Sequence, residues 1–234
     1  MEKHLSSQFD AELSGISTRV LEMGGLVENQ VSQAIYALTN FSGEVASQVL
    51  TQEERVNAME MGIDADLSMI IARRQPTARD LRLLIAISKT IGNLERVGDE
   101  AARVARTVQR LINTGVSSRL RLPVGDVSFE ASLATASLRK ALDAFARLDV
   151  TLALEVIKAD NEIDAEFDGL MRKLITYMME DPRTISASID LVFVAKAIER
   201  VGDHAKNLAE QVIYIVKGAD VRHNSPEAVA SIIK

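Results

Sequence analysis

Three stretches of the chain place an apolar residue at every third or fourth position. One runs Leu13, Ile16, Val20, Met23, Val27, Val31, Ala34, Leu38; a second runs Leu84, Ile87, Ile91, Leu94, Val97, Ala101, Val104, Val108, Leu111; a third runs Ile198, Val201, Ala205, Leu208, Val212, Ile215. That period lays one apolar stripe along a helix, of the kind that packs in long bundles. β-branched residues do not alternate with polar ones, so no strand is predicted. The pattern and its breakers predict six helices, at 6–40, 44–73, 78–114, 127–148, 151–179 and 185–217. At 1.5 Å per residue a helix of about 30 residues is about 45 Å long, so the particle should be elongated.

The four prolines fit this plan. Pro76 separates the second and third helices. Asp181-Pro182 reads as a helix N-cap followed by proline at the first helical position. Pro123 lies in NTGVSSRLRLPVGD, a polar stretch long enough to be a linker. The expected organisation is a first three-helix bundle over 1–116, a linker at 117–126, a second bundle over 127–218 and a tail at 219–234. The fold class is all-α, two antiparallel three-helix bundles in tandem.

The two halves repeat. ERVGDEA at 95–101 recurs as ERVGDHA at 199–205, 104 residues later. Upstream the offset is 107: Ala34-Ile35 matches Ala141-Leu142, Ala46 matches Ala153, and Val49-Leu50 matches Val156-Ile157. The offset changes around the proline turns, where insertions are tolerated.

The repeat carries chemistry. Glu95 and Asp99 are four apart on one helix, as are Glu199 and Asp203, and like charges at that spacing weaken a helix by a few tenths of a kcal/mol. Gly98 and Gly202 each add about 1 kcal/mol relative to alanine. A second set, Glu53 with Asn57 and Asp160 with Asp164, corresponds at the 107 offset. Glu53 and Asp160 fall where the apolar stripe should continue, and a buried lone carboxylate is costly unless paired, protonated or bound to a cation. The midpoints of each pair of sets lie about 20 residues either side of Pro76 or Pro182, so each hairpin should bring its acids to one height. Oxygen ligands converging without matching lysines are a hard-cation site. The alternative is a salt-bridge cluster with Arg96 and Arg200.

Composition narrows the function. With 234 residues, 47% apolar and 26% charged, the chain has an ordinary globular composition. The absence of cysteine excludes a disulfide framework, a zinc finger and a thiol nucleophile. MEKHLSSQFDAEL has no apolar segment resembling a secretory signal, and no stretch reaches the length of a membrane span, so a cytoplasmic protein is expected. A net charge of −6 argues against a nucleic-acid binder. Arg73, Arg74, Arg79 and Arg82 form a local basic turn, and a looser basic run extends from Arg103 to Arg121. Of the three histidines, His4, His204 and His223, none lies in the helix-borne Glu-x-x-His pattern that a ferritin-like di-iron site requires; the residue three before His204 is Val201. His204 is expected to be an exposed polar residue. A metal-dependent enzyme at the carboxylates is the alternative function.

The repeated ERVGD, RRQPTARDLRLLIAISKT at 73–90, TYMMEDPRTI at 176–185, ALDAFARLD at 141–149 and MGGLVE at 23–28 resemble the PhoU family, in family order, from His4 to about residue 223. The resemblance implies two similar bundles, a homodimer, and multinuclear sites for a divalent or ferric ion at paired Glu/Asp-x-x-x-Asp motifs. Glu95 with Asp99, Glu199 with Asp203, and Asp160 with Asp164 match those motifs; Glu53 is followed by Asn57, which departs from them. It further implies a cytoplasmic adaptor, not an enzyme, held at the inner membrane only through partners. Those partners are the ATPase of the phosphate ABC importer and the phosphate-sensing histidine kinase. The implied role is negative control of phosphate uptake and of the phosphate-starvation response.

Overall fold

The computed structural model describes residues 7–115 and 123–234, the side chain of Ser7 excepted. Its helices are α1 (Ser7–Asn40), α2 (Gly43–Arg74), α3 (Ala78–Asn113), α4 (Val124–Arg147), α5 (Val150–Glu180), α6 (Ile185–Lys217) and α7 (Pro226–Ile233). No strand occurs among the described residues. Six of these are the helices that the periodicity predicts, and every residue of the three apolar stripes is buried. The loose run Arg103–Arg121 and the expected linker both extend into 116–122, outside the described residues; Val124–Asp126, expected as linker, already belong to α4. The expected tail contains α7, begun by Ser225, whose Oγ accepts from the Ala228 amide, with Pro226 at the first helical position.

The duplication extends to the turns. Phe41 and Leu148 both adopt left-handed backbone (φ 48° and 51°), and each is followed by an N-cap, Ser42 accepting from Val45 and Asp149 accepting from Thr151 and Leu152. Between α5 and α6, Asp181 accepts from the Arg183 amide and Pro182 opens a single 3₁₀ turn that runs into α6. This is the predicted cap, with α6 itself starting at Ile185.

α1, α2 and α3 pack on one another, as do α4, α5 and α6, and the halves meet side by side, α3 against α6 and α1 against α4. α3 and α6 are therefore buried on two faces. Ala101 and Val104 of α3 meet Ala197, Ile198 and Val201 of α6 there, beside Val31 and Ala34 of α1. At the other seam α1 comes close to α4: a Cβ on Gly24 would clash with Leu142 Cδ2. Polar bonds register the halves. Arg139 Nε donates to Glu28 at 2.7 Å, and Arg110 pairs with Asp190 at 3.0 Å.

Candidate metal centre

In the first half, α2 presents Glu53 and Asn57 and α3 presents Glu95 and Asp99. Burial pushes the Glu53 carboxyl up; Asp99 adds to the rise and Arg106 opposes it. Burial also raises Glu95, reinforced by Asp99, Glu60 and Glu53 and opposed by Arg96. Three of the predicted residues, Glu53, Glu95 and Asp99, are thus brought together as one acidic group. Glu60 joins it: its carboxyl is raised by burial, then by Asp64 and Asp99. The sequence signal for Glu60 was its place seven residues, two helical turns, beyond Glu53, outside the four-residue spacing. Arg106 Nη1 donates to Glu53 at 3.3 Å, and the buried Asn57 Oδ1 has no hydrogen-bond partner.

In the second half, Asp160 is buried at 3% exposure. Asp203 is pushed up to about 6 by burial, then by Glu199, Asp160 and Asp164, with Lys196 opposing. Burial, Asp160 and Asp164's other neighbour Glu199 raise Asp164, against Lys206 and Lys196. These four acids also share one environment. Two lysines share it with them, which the sequence reading did not anticipate. Lys206 Nζ donates to Asp160 at 2.6 Å. Lys196 Nζ donates to Glu199 at 2.6 Å and lies 5.2 Å from the centroid of the Phe167 ring. Glu199 keeps its second oxygen, Oε2, buried without a partner.

Of the two arginines of the repeat, Arg96 acts on Glu95 and Glu60, whereas Arg200 turns away from its own acids. Arg200 Nη1 reaches across the seam to Glu100 at 3.0 Å, and Arg103 pairs with the same carboxylate at 3.1 Å. His204, expected to be exposed, is instead partly buried at the seam, its Nδ1 3.0 Å from Asn93 Oδ1. Burial, then Arg96 and Arg200, hold its ring down at about 4, so it is neutral at pH 7. Its bond is to an amide, not to a hydroxyl nucleophile.

A polar groove of about 870 Å³ runs along this seam. Asp99 of one cluster and Asp203 of the other line it, with Glu100 and Glu210, against Arg96, Arg103, Arg200, Arg222 and Lys206. The basic turn is partly consumed by the fold: Arg74 grips Glu12 through two bonds, 2.9 and 2.7 Å, and Arg82 lies against Gly218.

The donor set is all oxygen, repelled within itself and partly desolvated, which is the chemistry of a hard-cation site. As the side chains stand, no three His, Asp or Glu groups among the described residues are disposed to hold a metal ion. Lys196 and Lys206 occupy carboxylates in the second half, and a cation would have to displace them.

Comparison with known proteins places these features. The PhoU domain profile matches residues 20–108 and 130–212, the two repeats, each from within its first helix to near the end of its third. The chain is 48% identical over 230 residues to the phosphate-specific transport system accessory protein PhoU homolog of Burkholderia sp., covering 98% of this chain and 97% of that one. It is 44% identical over 225 residues to the accessory protein PhoU of Escherichia coli K12, covering 95% and 91%. Among solved structures, PhoU from Pseudomonas aeruginosa superposes with a TM-score of 0.84 at 45% identity, over 90% of this chain and 100% of that one. The phosphate transport system regulatory protein PhoU from Streptococcus pneumoniae does so at 0.83 and 26%, over 91% and 99%. A duplicated three-helix unit, acids at matching heights in both copies, and likeness across almost the whole length lead to one conclusion: the chain belongs to the PhoU family.

Proposed function

We propose that this protein is an accessory regulator of phosphate-specific transport. The observation that carries the reading is full-length likeness to relatives named for that role. In this reading it is an adaptor that links the ATPase of the phosphate ABC importer to the phosphate-sensing histidine kinase. It restrains uptake and the starvation response when phosphate is plentiful. No helix among the described residues is long and apolar enough to cross a membrane, so membrane attachment would come through those partners. Deleting the gene should derepress phosphate-starvation promoters in phosphate-replete cells, and supplying the intact chain should restore repression. Unchanged promoter activity in the deletion strain would overturn the reading. Capture of the kinase and the ATPase from a membrane extract tests the partners.

The acid clusters are the site of a divalent or ferric ion. Glu53, Asn57, Glu60, Glu95 and Asp99 would hold it in the first half, and Asp160, Asp164, Glu199 and Asp203 in the second. The unpartnered buried Asn57 Oδ1 and Glu199 Oε2 support this, since a buried acceptor without a donor is costly and a cation satisfies it. A bound ion would supply charge neutralisation that fixes α2 to α3 and α5 to α6. Elemental analysis of untagged protein tests occupancy, and a metal-free preparation of full activity in vivo would sink the metal part alone.

A further inference from the structure

Glu130 on α4 is outside the repeated motifs, yet it is the most deeply buried acid of the second half. It is 1% exposed, and neither of its carboxylate oxygens has a hydrogen-bond partner. At the 107 offset its counterpart in the first half is Met23, a fully buried core residue. The same place in the repeat thus holds a thioether in one half and an unsatisfied acid in the other. An acid substituted into a packed apolar position, without a donor, destabilises the fold unless something compensates it.

Its neighbours say what compensates. Counting from the turns, Glu130 lies 18 residues before Leu148 and Glu166 lies 18 after it; Glu166 and Glu199 flank Pro182 at 16 and 17. The three carboxyls are therefore level in antiparallel helices, and α4 packs on both α5 and α6. Glu199 and Glu166 are the acids acting on Glu130, with Lys196 the opposing cation. Glu199, whose Oε2 is also buried and unpartnered, stands between this level and the Asp160, Asp164 and Asp203 group. The cluster accordingly continues one helical turn, about 5.4 Å, toward Pro182. There three buried carboxylate oxygens face a single tethered ammonium.

Resting on the metal reading above, we infer that Glu130 is an additional ligand of the second-half site, supplied by α4 and taken up when a divalent cation displaces Lys196 from Glu199. The ion then ties all three helices of the half together. The first half, with Met23 at that position, has no equivalent from α1.

The test uses the full chain, stripped with a chelator and titrated calorimetrically with Mn²⁺. Glu130→Gln keeps the shape and removes the anionic oxygen. It should weaken Mn²⁺ binding in the second half by about 10–100-fold while leaving the circular dichroism and the metal-free melting temperature no lower than wild type. The electron paramagnetic resonance of bound Mn²⁺ should change with it, which a purely structural role would not cause. Glu130→Met, the first half's own residue, serves if the glutamine variant does not fold. If Asp203→Asn loses binding but Glu130→Gln and Glu130→Met bind as wild type, the cation site stands and this inference falls. If the wild-type chain takes up neither Mn²⁺, Mg²⁺ nor Fe³⁺, the metal reading and this inference fall together.

Discussion

Asp203 sits within reach of three other carboxylates, and its raised pKa of about 6 records their repulsion and its burial. Replacing it with asparagine removes that repulsion. In chelator the Asp203→Asn melting temperature should equal or exceed that of wild type, and with Mn²⁺ present the variant should bind more weakly. A salt-bridge network would lose stability on this change in both conditions. Glu130 sets the pH dependence. Its pKa is raised from 4.5 to about 8 by burial and by Glu199 and Glu166, against Lys196. The folded state holds the proton more tightly than the unfolded chain, so the stability it contributes is present at low pH and lost as pH rises from about 4.5 through about 8. Asp203 has the same sign below about 6; His204, lowered to about 4, has the opposite sign below 6.5. Metal-free wild type should therefore gain melting temperature between pH 8.5 and 6.5, and Glu130→Gln should flatten that gain. At this scale the acids of the repeat were legible because like charges four apart are locally unfavourable twice over. Glu130 was not, because a single buried acid in an apolar stripe looks like any polar interruption. Lys196 and Lys206 were missed because sequence spacing does not show which element a long side chain reaches.

Helices are where the sequence speaks most directly. The 3.6-residue period, two of the turn prolines and the Asp181 cap located six of them, since each depends on neighbours along the chain. α7 had its signals too, serine before proline at Ser225-Pro226, but eight residues give too short a period to stand out. Gly202 shows what the element gains from a residue that weakens it. A Cβ there would lie 2.8 Å from Ile163 Cδ1 and 3.3 Å from Cγ2, so α6 approaches α5 closely only because no side chain intervenes. Gly202→Ala should lose about 1–3 kcal/mol through overpacking, outweighing alanine's helix preference of about 1 kcal/mol. Gly25→Ala, with open space around the position, should keep that preference and be neutral or stabilising. Thermal melts of the two variants separate close packing from propensity; a stabilised Gly202→Ala would refute the close-approach account.

Across the whole molecule, the two repeats share a seam that the sequence left unseen. Periodicity identifies one apolar stripe per helix, but it does not show that α3 and α6 carry a second face that packs on the other half. Because that face is buried between the halves, calorimetry should show one cooperative unfolding transition, and two separated transitions would contradict the shared core. The basic turn offers less free charge than its four arginines promise, Arg74 being held by Glu12. Reversing Arg73 and Arg79 to glutamate should leave the melting temperature unchanged, so any loss of phosphate-responsive repression would report a lost contact rather than a damaged fold.

The seam groove has a polarity that depends on what the clusters hold. Five cationic side chains face four acids there, and two of those acids, Asp99 and Asp203, belong to the clusters. A cation that takes up their charge leaves five positive groups against two negative ones. The groove then passes from nearly balanced to strongly positive without any helix moving. Such a surface draws acidic ligands faster at low ionic strength and repels them less at every salt concentration. Loading of the two clusters would thus be displayed outward as the sign of the local potential, readable by anything negatively charged that diffuses past.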